Sequence, residues 1–131
     1  MTCHVALRVG EFEQRLRRDR REVSHALLST DAELAGLARP HRGEFIDDAA
    51  KEARRLLARL EERERNVLAE IDAAEERLAA GTFGVCEACS RPIPLPRLRA
   101  LPMARLCMAC EEWAERARAQ QSAGDVTATS C

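Results

Sequence analysis

The sequence has few aromatic residues, and this shortage limits what the chain can fold into. Trp, Phe and Tyr together make up 3% of the 131 residues, and Tyr is absent. Because aromatic side chains supply much of the buried area of a globular core, we expect a protein without a large core. One third of the residues are instead charged, with a net charge of −1, a composition typical of long helices and coiled coils.

The sequence also lacks the patterns of membrane proteins, secreted proteins and most enzymes. No apolar run is long enough to span a bilayer, and residues 1–10 lack the basic start and apolar run of a signal peptide. We therefore expect a cytoplasmic protein with no membrane partner. The three histidines are scattered, no nucleophile–base pair or open metal site is apparent, and no basic stripe of the kind that binds duplex DNA is present. We expect neither an enzyme nor a sequence-specific DNA-binding protein.

Gly and Pro are almost absent from two long stretches, which predicts two long helices. The first stretch runs from Glu11 to about Ala38, and the second runs from Glu44 to about Ala80. Pro and Gly between them, in residues 39–43, end one helix and allow the next to begin. These features predict a mainly α-helical protein built on an antiparallel two-helix hairpin.

Apolar residues recur in both stretches at alternating spacings of four and three, which is the pattern of a coiled-coil seam. The seam positions are Leu16, Arg20, Val23, Leu27, Thr30, Leu34 and Leu37, and then Ile46, Ala50, Ala53, Leu57, Leu60, Glu64, Val67, Ile71, Ala74 and Leu78. Folding the chain about residues 41–42 pairs positions whose numbers sum to 83 or 84, which brings Arg20 opposite Glu64. An opposite pair of charges is tolerated in a seam and penalises slipped registers. We therefore predict an Arg20–Glu64 contact, the alternative being that both side chains extend to water.

Four cysteines form two Cys-x2-Cys hooks separated by 17 residues. The predicted ligands are Cys86, Cys89, Cys107 and Cys110. Two such hooks match a tetrahedral zinc site in which every ligand is a thiolate, and four protein ligands leave no open position for catalysis. One structural Zn²⁺ ion is the expected cofactor; the alternatives are two disulfides or an iron–sulfur cluster. Cys3 and Cys131 are expected to be free thiols.

The segment around the hooks predicts a small zinc-stabilised module. It is rich in Pro between the hooks, so we expect mostly irregular loop with a miniature core, followed by a short helix from about Leu106 to Ala119. Trp113 is expected to plug that core. The predicted organisation is an N-terminal segment (1–10), a coiled-coil hairpin (11–80) with its tip at 39–48, a four-cysteine zinc-finger module with a C-terminal helix (81–119), and a disordered tail (120–131).

These motifs together resemble the DksA/TraR family of bacterial transcription regulators. The residues that carry the resemblance are Gly81-Thr82-Phe83-Gly84-Val85-Cys86-Glu87-Ala88-Cys89, then Ile93, Arg97-Leu98-Arg99-Ala100, Pro102, and Leu106-Cys107-Met108-Ala109-Cys110. The resemblance implies a monomer that binds RNA polymerase and inserts its coiled-coil tip through the secondary channel, modulating initiation without reading promoter DNA.

The resemblance also implies which residues act. The family tip carries an Asp-x-x-Asp-x-Ala pattern, and the nearest match here has Glu at the first position. The polymerase-facing tip residues are then Glu44, Asp47, Asp48 and Ala49, with Arg63 and Arg65 as possible contacts to the channel rim. Carboxylates in a first helical turn also favour the helix through its dipole, which is the physical alternative for the acids.

One departure concerns the alarmone ppGpp. The family's basic ppGpp-binding positions correspond to Glu70, Leu101 and Glu111 here, and these side chains cannot hold a polyphosphate. We therefore expect regulation without the usual ppGpp site. Three other functions remain open: a transcript-cleavage factor that uses the same channel, a zinc-ribbon nucleic-acid-binding protein using Arg91, Arg97, Arg99 and Arg105, and a coiled-coil adaptor.

Overall fold

The computed structural model describes residues 8–38 and 48–127. The described residues form four helices: α1 (Val9–Ala38), α2 (Asp48–Ala80), α3 (Leu95–Ala100) and α4 (Met108–Thr127). The chain divides into two compact units, one of Gly10–Glu76 and the other of Arg77–Cys131 together with the first nine residues. Among the described helices, none combines the length and the apolar character needed to cross a membrane. The mainly helical fold predicted from the sequence is confirmed.

The first unit, Gly10–Glu76, is an antiparallel hairpin of α1 and most of α2. Arg20, in the early part of α1, contacts Asp72 and Glu75 in the later part of α2, and Arg54 donates a hydrogen bond to the carbonyl of Leu37 near the end of α1. The predicted seam faces inward along both helices, because its described members are buried or half-buried in all cases but one. The exception is Leu60, whose exposed fraction is 44%. Among the described residues of this unit, apolar side chains are fully buried only near the start of α1 and the end of this part of α2, at Phe12, Leu16, Ile71 and Ala74.

The register of the hairpin differs from the predicted one. Arg20 does not contact Glu64; its partners lie 8 and 11 positions further along α2, at Asp72 and Glu75. Glu64 instead accepts a hydrogen bond from the hydroxyl of Thr30 at 3.3 Å. The Arg20–Glu64 prediction is therefore wrong, although both residues occupy the seam.

The error has a geometric cause. Helices rise by about 1.5 Å per residue, so each step from layer to layer must span the same number of residues on both helices. When Thr30 is paired with Glu64, each three-residue step on α1 lies opposite a three-residue step on α2, and each four-residue step lies opposite a four-residue step. Leu27 then faces Val67, and Val23 faces Ile71. The predicted register, with sums alternating between 83 and 84, sets steps of three against steps of four. Of the predicted tip, residues 39–48, only Asp48 lies within the described residues.

The second unit is built around a small core and begins with the end of α2. Gly81 ends that helix in a left-handed conformation, with φ of 76°. Its amide donates to the carbonyl of Leu78 at 3.3 Å, and the amide of Thr82 donates to the carbonyl of Arg77 at 3.0 Å. These two bonds form a Schellman motif, for which Gly has no steric penalty. This motif explains why α2 ends at Ala80.

The core of this unit consists of a few apolar side chains, as its composition indicated. The buried side chains are Leu78, Phe83, Cys86, Ile93, Leu98, Pro102 and Ala104. Val85 and Leu106 are half-buried beside them in the sequence. The loop between the hooks is more ordered than predicted, because residues 95–100 form α3, which starts after Pro94 with Pro96 in its first turn, a position that Pro favours.

Two predictions for α4 differ from the structure. Trp113 does not plug the core, since its exposed fraction is 73%. The half-buried stripe of α4 runs through Cys110, Ala114 and Ala117, and Trp113 lies one position away from it. The helix also continues to Thr127, eight residues past the predicted end at Ala119. Gln120, Gln121 and Ala123 favour helix, but the other residues of this stretch do not, so propensity alone does not explain the extension. Residues 128–131 lie outside the described part.

Candidate metal centre and hairpin end

The first cysteine hook is a tight hairpin held by backbone hydrogen bonds. The amide of Cys86 donates to the carbonyl of Arg91 at 2.8 Å, and the amide of Ser90 donates to the carbonyl of Cys86 at 2.9 Å. A single antiparallel bridge joins Val85 and Pro92, and Ser90 closes the turn in a left-handed conformation, with φ of 59°. These bonds turn the chain sharply enough to aim the sulfurs of Cys86 and Cys89 at one point.

The second hook adjoins the first and leads into α4. The amide of Glu87 donates to the carbonyl of Arg105 at 2.9 Å, which ties the two hooks together. The amide of Cys107 donates to the sulfur of Cys86 at 3.3 Å. The amide of Glu111 then donates to the carbonyl of Cys107 at 2.9 Å, as the first turn of α4 forms. Cys110 therefore projects from a helical turn, while Cys107 precedes it.

The four sulfurs fit a tetrahedral zinc ion. The sulfur atoms of Cys86, Cys89, Cys107 and Cys110 all lie within 4.8 Å of one another, and those of Cys89 and Cys107 are 3.8 Å apart. A tetrahedron with Zn–S bonds of about 2.3 Å requires sulfurs about 3.8 Å apart. An all-thiolate set of this kind fills the coordination sphere, so the metal would hold structure and leave no position for a reacting water.

The environment of the sulfurs favours a thiolate at one ligand before metal binds. Burial by itself raises the pKa of Cys86, but amide donors from Cys107, Cys89 and Ala88 outweigh it and lower that pKa to about 6. The pKa of Cys110 is raised to about 12, first because its thiol is hydrogen-bonded to Cys107 and then because of burial and the other two sulfurs. Bound zinc replaces these protons, since its ligands are deprotonated.

Arg97, which the sequence suggested for nucleic-acid contact, instead forms hydrogen bonds within this unit. Its Nε donates to the carbonyl of Leu106 at 3.1 Å, and its Nη2 lies 3.4 Å from the carboxylate of Glu111. The side chain of Arg97 therefore links α3 to the second hook and to α4. Arg105 lies 4.0 Å from Glu87, which Arg77 also approaches, at 3.9 Å. Sequence reasoning missed these roles because nothing in the spacing of the arginines marks an internal partner.

The residues predicted for the tip are only partly within the described structure. Glu44 and Asp47 lie outside the described residues, whereas Asp48 and Ala49 begin α2. The side chain of Asp48 is fully exposed, with Lys51 at 3.6 Å, and Ala49 is exposed as well. The carbonyl that receives Arg54 belongs to Leu37, the second-last residue of α1. The six residues from Asp48 to the one before Arg54 therefore extend about 9 Å beyond this contact, at the usual helical rise.

The predicted rim residues differ in their surroundings. Arg63 is exposed, and no salt bridge to it is found among the described residues. Arg65 is also exposed, but it forms an ion pair with Glu61 and lies 4.0 Å from Asp31 of α1. Arg65 thus has partners within the hairpin, which Arg63 lacks in the described part of the chain.

The positions at which the resembling family holds ppGpp carry no cation here. Glu70 is half-buried on α2, and Leu101 has an exposed fraction of 50%. Glu111 is already engaged by Arg97 and lies 3.8 Å from Arg118. Its carboxylate therefore contributes to the fold of the second unit.

Known proteins are similar to both units of the chain. The family described as the prokaryotic dksA/traR C4-type zinc finger matches residues 81–116, and with the four clustered sulfurs this identifies the metal as a structural zinc ion. The RNA polymerase-binding transcription factor DksA of Caulobacter vibrioides is 33% identical over 105 residues, which is 79% of this chain and 68% of that protein.

Two further similarities differ in extent. An uncharacterized protein of Aquifex aeolicus is 48% identical over 61 residues, and the match covers 47% of this chain and 42% of that protein. The solved structure of the transcription factor DksA2 from Pseudomonas aeruginosa has a TM-score of 0.78 at 36% identity, and the match covers 86% of each chain. The longer matches extend well beyond the cysteine module into the helical hairpin.

Proposed function

Since this chain belongs to the DksA/TraR family, we propose that it is a transcription factor that binds RNA polymerase and regulates initiation through the end of its hairpin. The end enters the secondary channel and approaches the catalytic centre, where acidic side chains act on the active-site elements. The zinc ion keeps the second unit folded and takes no part in chemistry.

The observation that supports this proposal most directly is the exposure of the start of α2. Asp48 is fully exposed and Ala49 is exposed, in the part of α2 that precedes Arg54, whose hydrogen bond to Leu37 joins α2 to the end of α1. An exposed helical segment can enter a channel that excludes a globular domain. Glu44 and Asp47 complete the proposed tip, and Arg63 is the better placed of the two proposed rim contacts because Arg65 is paired within the hairpin.

Regulation is proposed to be independent of the usual ppGpp site. The corresponding positions carry two carboxylates and a leucine, and Glu111 is held by Arg97. Addition of ppGpp should therefore not change the effect of this protein on a polymerase whose own ppGpp sites have been removed. A strong dependence on ppGpp in that assay would contradict this part of the proposal.

A binding and transcription assay tests the proposed function. The double variant Asp47→Asn with Ala49→Thr should bind core RNA polymerase as well as the unmodified protein does in a pull-down, and it should lose regulation in transcription in vitro. The matched control makes the corresponding changes, a carboxylate to its amide and an Ala to Thr, on exposed positions of the α1 shaft, Glu33→Gln with Ala32→Thr, and should keep both properties. Full regulation by the tip variant would contradict the proposal, and stimulated cleavage of backtracked RNA would identify a transcript-cleavage factor instead.

A further inference from the structure

The seam of the hairpin contains one layer in which both residues are polar. Thr30 of α1 has an exposed fraction of 5%, and its hydroxyl lies 3.3 Å from a carboxylate oxygen of Glu64 on α2. The same hydroxyl lies 3.1 Å from the carbonyl of Ala26. A threonine hydroxyl carries one hydrogen, so it cannot donate to both acceptors at once.

This layer is poorly satisfied. The second carboxylate oxygen of Glu64 is buried and has no hydrogen-bond partner. A buried polar atom without a partner destabilises a fold, and an apolar pair of similar volume would normally be more stable at such a position. The layer therefore does not contribute to the protein through stability, and another role must account for it.

That role becomes visible when other registers are compared. Sliding α1 by one heptad, or about 10 Å, towards the start of α2 still places the four-residue and three-residue steps of the α1 seam opposite equal steps of the α2 seam. In that register Thr30 would face Leu57, and Glu64 would face Val23. Sliding by one heptad in the other direction would place Thr30 against Ile71 and Glu64 against Leu37. Of these three registers, only the observed one brings Thr30 and Glu64 together; the seam's third polar residue, Arg20, faces an apolar position or none in each of them.

We propose that the Thr30–Glu64 layer selects the register of the hairpin and thereby sets how far the first turns of α2 extend beyond α1. Polar residues at single seam positions of coiled coils can fix register in this way at a cost in stability. In the observed register, the end of α1 lies beside Arg54. One heptad away, Leu37 would face Ala50, and α1 would flank the turn that carries Asp48 and Ala49. The consequence for activity, though not the register itself, rests on the function proposed above.

Disulfide trapping tests the register directly. In the zinc-loaded full chain with Cys3 and Cys131 replaced by Ser, the pair Leu27→Cys with Val67→Cys reports the observed register. The pair Leu27→Cys with Leu60→Cys reports the slipped one, since cysteines one heptad apart along α2 are too far to bridge otherwise. With Thr30 and Glu64 present, only the first pair should crosslink under mild oxidation, with the zinc content checked before and after.

Replacing the polar layer should release the slipped register. The double substitution Thr30→Val with Glu64→Leu should raise crosslinking of the 27/60 pair at least about tenfold, while the melting temperature rises by roughly 5 °C. Arg20→Met is the control, because it removes the Asp72 and Glu75 ion pairs at a partly exposed site and should leave the 27/60 pair uncrosslinked. No 27/60 crosslink in the apolar variant, or one produced by Arg20→Met alone, would overturn the proposal.

Transcription assays of the trapped proteins separate this proposal from the function. The 27/67-trapped protein should regulate transcription and the 27/60-trapped protein should not. If both trapped forms regulate equally, the register does not position the tip and that part of the proposal fails. If neither the trapped nor the unmodified protein affects polymerase, the proposed function fails, while the register is still judged by the crosslinks.

Discussion

Removal of zinc should unfold the second unit while leaving the hairpin helical. The apolar core of that unit is small, because its fully buried large side chains are Phe83, Leu98 and, nearly so, Ile93. Side chains of this size contribute about 1.5–3 kcal/mol each when buried, whereas a structural zinc ion supplies about 10–16 kcal/mol of apparent binding free energy. The metal is therefore the larger stabilising contribution to the second unit.

Hydrogen exchange measures this effect at individual amides. Those of Cys86, Glu87 and Ile93 donate to the carbonyls of Arg91, Arg105 and Gly84 in the folded unit. After chelation, these three amides should exchange at rates close to those of an unfolded chain. Amides in the middle of α1 and α2 should keep their protection, since the hairpin has its own seam.

Two results would refute this reasoning. Unchanged protection of the three amides, with zinc loss verified by metal analysis, would show that the small core is sufficient on its own. Loss of protection along the whole hairpin at the same chelator concentration would show that the two units unfold as one. Restoration of protection by added zinc is the control for irreversible damage.

Three further predictions concern single positions. Gly81→Ala should lower the free energy of unfolding by about 1 kcal/mol in urea titrations because φ is positive there. Gly36→Ala, in the last turn of α1 with open space around the added methyl group, should instead raise it, by no more than about 1 kcal/mol. Equal effects would contradict the assignment of these two backbone conformations. Zinc binding at pH 7 should release close to four protons, measured calorimetrically in buffers of different ionisation enthalpy, because the zinc-free unit is unfolded and its cysteines are then thiols with the ordinary pKa of about 8.5. Release of clearly fewer protons would show that the folded hook, which lowers the pKa of Cys86 to about 6, persists without the metal. Arg97→Met should destabilise the second unit by about 1–3 kcal/mol, through the lost bonds to the carbonyl of Leu106 and to Glu111, without changing the helicity of the hairpin.

The sequence predicted local features well and the pairing of elements less well. The two long helices, the seam faces and the four-cysteine centre depend on spacing along the chain, and the described residues confirm each of them, whereas α3 was missed and the end of α4 was wrong. The register depends on which residues meet across the hairpin, and an assumed two-residue turn placed Arg20 against Glu64. Matching the order of the spacings on the two antiparallel helices would have favoured the observed pairing of Thr30 with Glu64.

The errors in the zinc module have a similar origin. Trp113 was assigned to the core because it is the only Trp, but residue type does not show which face of α4 turns inward. Arg97 looked like a surface cation because its partners, the carbonyl of Leu106 and the carboxylate of Glu111, are brought near it only by folding. Composition could predict that this unit has a small core without identifying the side chains that fill it.

Photocrosslinking from the start of α2 to RNA polymerase tests the central claim most directly. A photoreactive amino acid at Ala49, which is exposed, should crosslink to polymerase elements beside the catalytic centre, and the same group at Ala32 on the α1 shaft should not. Mapping of the crosslinked peptides gives the answer without relying on promoter choice. Crosslinks from position 49 only to the outer surface of the polymerase, or none while the protein is bound, would contradict the account.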